Sequence, residues 1–111
     1  MAAGHRLAIL SGQVGMLADG SVPSDRETEA EAMWANVEMA LAGAGFSLNT
    51  IVKVTMYVVV GTSAAPPSQI RERLLGSHKP ASTLLYVSGL ARPDLHYEVE
   101  VIAALLPETG V

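Results

Sequence analysis

Residues 51–60 read Ile-Val-Lys-Val-Thr-Met-Tyr-Val-Val-Val, and their polarity alternates over most of that length. Successive side chains of a strand point to opposite faces of a sheet. One face is therefore predicted to be wholly apolar, and it comprises Val52, Val54, Met56 and Val58. The other face carries Lys53, Thr55 and Tyr57. A long strand with one apolar face predicts a sheet that other elements cover on that side.

A helix is predicted ahead of this strand. The segment Ser24-Asp25-Arg26-Glu27 fits a capping box, in which the Ser24 hydroxyl binds a first-turn amide and Glu27 reaches back. Apolar residues then recur at helical spacing and form one stripe, which comprises Ala30, Met33, Trp34, Val37, Leu41 and Ala44. Gly43 and Gly45 supply the end of the helix.

The remaining segments predict a second helix and further strands. Pro66-Pro67 precedes the second helix, and Gly76 ends it. Its apolar face comprises Ile70, Leu74 and Leu75. Strands are predicted over residues 6–11, 83–87 and 96–105, with residues 13–17 as a further extended piece. This order, β-(β)-α-β-α-β-β, predicts an α+β fold in which the helices cover one face of a single sheet.

Composition limits the class of protein. The chain has 111 residues, of which 50% are hydrophobic and 16% charged, and it contains no cysteine. The length predicts a single domain over residues 1–111, and the apolar content excludes an intrinsically disordered chain. Without cysteine, disulfides, thiolate catalysis and Cys-ligated metal sites are excluded. The net charge is −4 and the Lys and Arg residues are scattered, which argues against nucleic acid as a partner.

Hydropathy also bears on location and assembly. No apolar run is long enough to span a membrane, and the first residues do not form a secretory signal. We therefore expect a cytoplasmic protein without a membrane partner. The small domain has more apolar surface than it can easily bury, which favours oligomerisation.

Two carboxylates stand out on the last predicted strand. Glu98 and Glu100 are two residues apart, so they share one face at a separation of roughly 7 Å. Such a pair can divide acid and base roles when the two environments differ. The alternative is a solvated strand face, which the spacing alone favours.

The histidines His5, His78 and His96 do not have the spacing of metal ligands, so no metal site is predicted. His96 shares the predicted strand face of Glu98, and a contact between the two is conceivable. Histidines at an ordinary surface are the alternative that burial preferences favour.

Four segments share an order and a spacing that extend over nearly the whole chain. They are Leu10-Ser11-Gly12-Gln13-Val14, Asn36-Val37 followed by Ala44-Gly45, the strand from Ile51 to Val58, and Pro80-Ala81-Ser82-Thr83 with the later segment from Tyr97 to Ala103. Together they resemble the Rid family, the reactive intermediate deaminases also called RidA/YjgF.

This resemblance implies a chorismate-mutase-like α+β fold, with one mixed sheet and two helices on one face. It implies a homotrimer whose pockets lie in the clefts between subunits. In the active deaminases of the family, small imines or enamines are hydrolysed to 2-keto acids and ammonia. No metal or organic cofactor is needed.

The resemblance also implies site residues. The glutamate that positions or activates water falls on Glu98. Gly12 falls on the backbone position that lines the pocket, and the strand-entry amides fall at Thr83 and Leu84. Ser82 stands where the family has an arginine that grips the substrate carboxylate, and it could give one neutral hydrogen bond instead.

The missing arginine leaves three functions in competition. Lys79 and Arg92 are close to position 82 in the sequence, but neither occupies that position. The first hypothesis is hydrolysis of a small imine, enamine or related carbonyl metabolite by water-mediated acid/base chemistry at Glu98. The second is a non-catalytic trimer that binds a small metabolite or a partner protein. An endoribonuclease, a label sometimes attached to the family, is the third, and the acidic balance opposes it.

Overall fold

The computed structural model describes residues 6–106, so His5 and both ends of the predicted domain lie outside the described part. The chain forms β1 (Arg6–Val14), α1 (Arg26–Gly43), a short 3-10 turn (Leu48–Thr50), β2 (Ile51–Val59), α2 (Ala65–Leu75), β3 (Ala81–Val87) and β4 (Tyr97–Leu105). The strands make one four-stranded sheet in the order β1-β4-β2-β3. Because β4 is antiparallel to both neighbours while β2 and β3 are parallel, the sheet is mixed.

Both helices pack on one face of this sheet, which confirms the predicted α+β arrangement. The core between α1 and the sheet contains Trp34, Met33 and Leu41 from the helix and Tyr97 and Val99 from β4, all at most 1% exposed. No helix within residues 6–106 is both long and apolar enough to span a bilayer.

The first helix begins one residue later than the capping box predicts. The Asp25 carboxylate accepts hydrogen bonds from the backbone N–H of Thr28 (2.9 Å) and from its hydroxyl (2.7 Å). A carboxylate reaches the third helical amide as well as a hydroxyl does, and its charge also suits the helix N-terminus. Asp25 therefore caps the helix in place of Ser24. Most of the predicted apolar stripe is buried, but Ala44 follows the helix and is exposed.

Strand β2 departs from simple alternation at its start. Val52, predicted on the apolar face, is 46% exposed, whereas Ile51 is fully buried. The pairing of β2 with β4 shifts register between Ile51 and Lys53. Such a bulge inserts one extra residue and reverses the side-chain alternation on one side of it. From Val54 to Val58 the predicted alternation is confirmed.

Strand β1 is longer than predicted. It continues to Val14, so the extended piece predicted over residues 13–17 is in part the end of β1 and not a separate strand. Its pairing with β4 shifts register between Leu10 and Gln13, which places Gly12 in the irregular part of the strand. The second helix begins at Ala65, with both prolines inside its first turn, where a missing N–H costs nothing.

Candidate functional site

The sheet face away from the helices carries a row of polar side chains. On β4, Tyr97, Val99 and Val101 are buried toward the helices, which leaves Glu98 and Glu100 on the opposite face. In the β2–β4 ladder, Tyr57 is paired with Glu98. The Tyr57 hydroxyl donates to Oε1 of Glu100 at 2.6 Å. The two carboxylates therefore share one face, as their spacing predicts, but only Glu100 has a hydrogen-bond donor from β2.

Glu98 lies directly over the backbone of Gly12. A Cβ atom at position 12 would overlap the Glu98 carboxylate, so a larger residue there would displace that side chain. Partial burial and the neighbouring charge of Glu100 raise the pKa of Glu98 above its usual value. Within residues 6–106 no Lys, Arg or His forms an ion pair with this carboxylate. The structure thus brings Glu98 and Gly12 together.

The three predicted site residues of β3 do not share one face. Thr83 is paired with Thr55, which lies on the same face as Glu98 and Glu100, whereas Ser82 and Leu84 are paired with Val54 and Met56 on the helix side. The Thr83 hydroxyl accepts a hydrogen bond from Nζ of Lys53 at 2.6 Å. Within one chain, Ser82 and Leu84 are therefore separated from Glu98 by the sheet itself.

Ser82 instead contacts the second helix. Nη1 of Arg71 donates to Oγ of Ser82 at 2.7 Å. Lys79 and Ser82 line a recess of about 240 Å³ at this place. Arg92 is held elsewhere, because its guanidinium donates to both carboxylate oxygens of Asp94 (3.0 and 2.6 Å) and to the carbonyl of Gly20 (3.1 Å).

A buried carboxylate that the sequence analysis passed over fixes the entry to β4. Glu29 on α1 is fully buried and accepts hydrogen bonds from the backbone N–H groups of His96 (2.7 Å) and Tyr97 (3.3 Å). Its Oε1 lies 3.0 Å from Nε of Arg26, which makes an ion pair but not an aligned hydrogen bond. Glu29 precedes Met33 and Val37 by one and two helical turns, so its place on the apolar stripe was the available signal.

The same carboxylate sets the tautomer of His96. Nδ1 of His96 lies 2.9 Å from Oε1 of Glu29, and Nε2 lies 3.1 Å from Nη1 of Arg26. Because a guanidinium only donates, Nε2 accepts and Nδ1 carries the proton, which gives a neutral ring. The ring is therefore turned toward α1, and the conceivable contact between His96 and Glu98 is not formed. By holding the backbone of His96 and Tyr97, this network fixes the start of β4 and so the position of Glu98, which follows directly.

The sequence model of the family described as endoribonuclease L-PSP matches residues 2–105. The chain belongs to this family, which is the Rid (RidA/YjgF) family. Its fold, two helices on a four-stranded mixed sheet, is the fold of the solved Rid structures that it resembles.

One relative and two solved structures show what this Rid-family chain is similar to. It is 32% identical over 82 residues to a RutC family protein of Pyrococcus horikoshii. The aligned region is 74% of this chain and 64% of the relative, so the chain spans slightly less than two thirds of the relative's length. The Rid family protein YyfB of Yersinia pestis, described as of unknown function, has a TM-score of 0.80 at 30% identity and covers 90% of this chain and 79% of that one. A putative endoribonuclease of Thermotoga maritima has a TM-score of 0.83 at 27% identity and covers 90% and 80%.

Proposed function

We propose that this Rid-family protein hydrolyses a small imine, enamine or related carbonyl metabolite, with Glu98 as the acid/base group acting through water. The observation that carries the proposal is the environment of the Glu98 carboxylate. Its carboxylate is partly buried over the backbone of Gly12 and has a raised pKa. A carboxyl group with a raised pKa exchanges protons more readily near neutral pH than an ordinary glutamate does.

The chemistry needs only water and this carboxylate. Glu98 takes a proton from water as the oxygen bonds to the imine carbon, and the C=N double bond becomes a single bond. The same carboxyl group then returns the proton to the nitrogen. The hydroxyl proton of the carbinolamine then passes through Glu98 to the nitrogen, the C–N bond breaks as the C=O double bond forms, and ammonia leaves. No metal or organic cofactor enters this sequence.

We further propose that the site forms between the subunits of a homotrimer in the cytoplasm. Large apolar side chains lie on the open sheet face beside the polar row: Leu7 is 62% exposed, Ile9 73% and Leu85 46%. Exposed apolar area of this kind favours a protein interface. An interface would also allow Ser82, Thr83 and Leu84 of one subunit to meet Glu98 of another.

Imine hydrolysis is tested with 2-imino acids that an amino-acid oxidase generates in the assay. The wild-type protein is expected to accelerate imine decay over buffer, and Glu98→Gln is expected to reduce that acceleration by about 100-fold or more, because it removes the proton-transfer group. Glu38→Gln is the matched control, since Glu38 is an exposed glutamate on α1, away from the site.

Two results would contradict the proposal. If the wild-type protein gives no acceleration, the classical deaminase activity is excluded and a trimer that only binds a metabolite or partner remains. If Glu98→Gln retains full activity, Glu98 is not the acid/base group.

RNA cleavage is a second candidate, because the matched family is described as endoribonuclease L-PSP and the Thermotoga neighbour as a putative endoribonuclease. The net charge of −4 and the scattered cations oppose it. Prolonged incubation of RNA with the pure protein decides the point: cleavage that Glu98→Gln abolishes would favour this candidate over imine hydrolysis.

A further inference from the structure

The hydrogen bond between Tyr57 and Glu100 lies beside Glu98, and the proposed hydrolysis gives it no role. In the β2–β4 ladder, Tyr57 is paired with Glu98, and Thr55 is paired with Glu100. The Tyr57 side chain therefore stands opposite Glu98, while its hydroxyl donates to Oε1 of Glu100 at 2.6 Å. Diagonal neighbours of this kind are within reach of an aromatic side chain. One residue of β2 thus bridges the positions of both carboxylates of β4.

The two carboxylates differ in what holds them. Glu98 is partly buried over Gly12, whereas Glu100 is exposed and accepts the hydroxyl of Tyr57. A hydrogen bond to a carboxylate is short and strong, so it fixes the acceptor in one place. An exposed glutamate without such a donor changes rotamer freely, and water and salt screen its charge. The hydroxyl therefore keeps the Glu100 charge on the face that Glu98 occupies.

Tyr57 is suited to donate this hydrogen bond permanently. Its hydrogen bond to Glu100 is the main reason why the pKa of Tyr57 is raised above the ordinary 10, and the charges of Glu100 and Glu98 add to it. The hydroxyl therefore keeps its proton over the whole range in which carboxyl groups titrate. The charge that it holds in place is, after burial, the second cause of the raised pKa of Glu98.

The cations of β1 and β2 are not placed to neutralise Glu98. Nζ of Lys53 donates to Oγ1 of Thr83 at 2.6 Å, on the side of β2 away from β4. Arg6 is the one titratable residue of β1, and it is paired with Leu105, at the other end of β4 from Glu98.

The titratable groups next to this row on other elements face away from it. Strand β3 carries one, Tyr86, which is in register on the helix side of the sheet. The ring of His96 is turned toward Glu29 on α1. Within residues 6–106, Glu100 is therefore the charged group whose position on this face bears on Glu98.

We propose that Tyr57 is a positioning residue, which holds the Glu100 carboxylate beside Glu98 so that Glu98 is the carboxyl group of the pair that gains and loses a proton. Two carboxylates in different surroundings divide acid and base roles in this way. The inference rests on the proposed function for the use of that proton. The coupling of the three side chains does not require that an imine is the substrate.

The coupling is tested by a pH titration of the full chain labelled with ¹³C at the glutamate carboxyl groups, with the Glu98 signal identified by its loss in Glu98→Gln. Tyr57→Phe keeps the ring and is expected to shift the midpoint of Glu98 to lower pH, because the Glu100 charge is released into water. Glu100→Gln removes the charge and is expected to shift the midpoint further.

A double variant shows whether Tyr57 acts through Glu100. The midpoint in Tyr57→Phe/Glu100→Gln is expected to equal that in Glu100→Gln alone, because residues that act as one unit are not additive. Tyr86→Phe is the matched control: it removes a tyrosine hydroxyl from the helix side of the sheet, where Tyr86 is 58% exposed. Its midpoint is expected to equal that of the wild type.

Three results would overturn the proposal. They are an unchanged midpoint in Tyr57→Phe, an equal effect of Tyr57→Phe with and without Glu100→Gln, and an equal shift in Tyr86→Phe.

The pH dependence of imine decay separates this inference from the proposed function. If Glu98 takes a proton from water, the acid limb of the rate is expected to move to lower pH in Tyr57→Phe, by the same amount as the midpoint. A shifted midpoint in a protein that hydrolyses no imine would support the coupling and contradict only the hydrolysis.

Discussion

Glu98 combines two surroundings that act on its carboxylate in the same direction. Burial penalises the charged form, and the neighbouring Glu100 repels it, so the pKa of Glu98 lies above the ordinary 4.5. The folded state therefore holds the proton more tightly than the unfolded chain does. Between the pKa of Glu98 in the unfolded chain and its higher pKa in the folded state, the folded state binds more protons than the unfolded chain does. The stability of the fold therefore falls as pH rises through that window. Ionisation of Glu98 therefore destabilises the fold, because of its partial burial and the charge of Glu100.

Glu98→Gln is predicted to be more stable than the wild type at neutral pH, because it removes that ionisation without changing the size of the side chain. The difference is expected to shrink as pH falls through the window and to vanish below the ordinary pKa of 4.5. Urea unfolding at neutral and at acidic pH measures it. A difference that does not change with pH would show that ionisation of Glu98 does not affect stability.

For individual residues, the sequence predicts part of the candidate site. The two-residue spacing places Glu98 and Glu100 on one face, because that depends only on strand geometry. The close contact between Gly12 and Glu98 could not be predicted from spacing, since it depends on the irregular pairing of β1 with β4. The contact between Arg71 and Ser82 is likewise formed by residues of two different elements.

Among the secondary-structure elements, α1 is joined to the start of β4 by the hydrogen bonds of Glu29. Its carboxylate accepts two backbone N–H groups and the His96 ring, with no exposed area. Gly15 contributes to this junction, because a Cβ there would overlap the backbone carbonyl of Glu29. The close packing of the chain just after β1 against α1 therefore requires glycine at position 15.

Glu29→Ala is predicted to lower the free energy of unfolding by about 3–5 kcal/mol, because it leaves buried donors and the Arg26 charge without a partner. Glu29→Gln is expected to cost less, since its amide oxygen can still accept. Glu27→Ala is the control: Glu27 is exposed in the same first turn, and its loss is expected to cost about 0.3–1 kcal/mol. Denaturant unfolding compares the three. Equal losses for the two alanine variants would contradict a special role for Glu29.

The sequence predicts the type and order of the elements well, because hydrophobic periodicity is a local signal. It fails at Val52 and at the length of β1, where register shifts decide which side chain faces inward. A bulge depends on the partner strand, which the local pattern does not contain. The start of α1 moves by one residue because two capping side chains compete in adjacent positions.

For the molecule as a whole, the helices cover one face of the sheet at β4 and β2, whereas the opposite face is open. The open face combines exposed apolar residues on β1 and β3 with the polar row of β2 and β4. A mixed surface of this kind would expose considerable apolar area to water in an isolated chain. Assembly through this face is the proposed means of covering it.

Ile9→Lys is predicted to convert the proposed trimer into monomers, because it places a charge on the apolar part of the open face, where Ile9 is 73% exposed. Met39→Lys is the matched control, since Met39 is 68% exposed but lies on α1, and it is expected to remain trimeric. Sedimentation velocity measures the states. A wild-type monomer, or equal behaviour of the two variants, would contradict assembly through this face.

The order of the strands also has a consequence for how the chain is made. Within residues 6–106, β4 is the last strand along the chain, and it lies between β1 and the β2–β3 pair. Until it leaves the ribosome, β1 has no strand partner and the two parts of the sheet are not joined. The four-stranded sheet therefore cannot close until β4 has been synthesised, and Glu98 arrives on the same strand that closes it. The closing of the sheet and the placement of Glu98 therefore depend on the same strand.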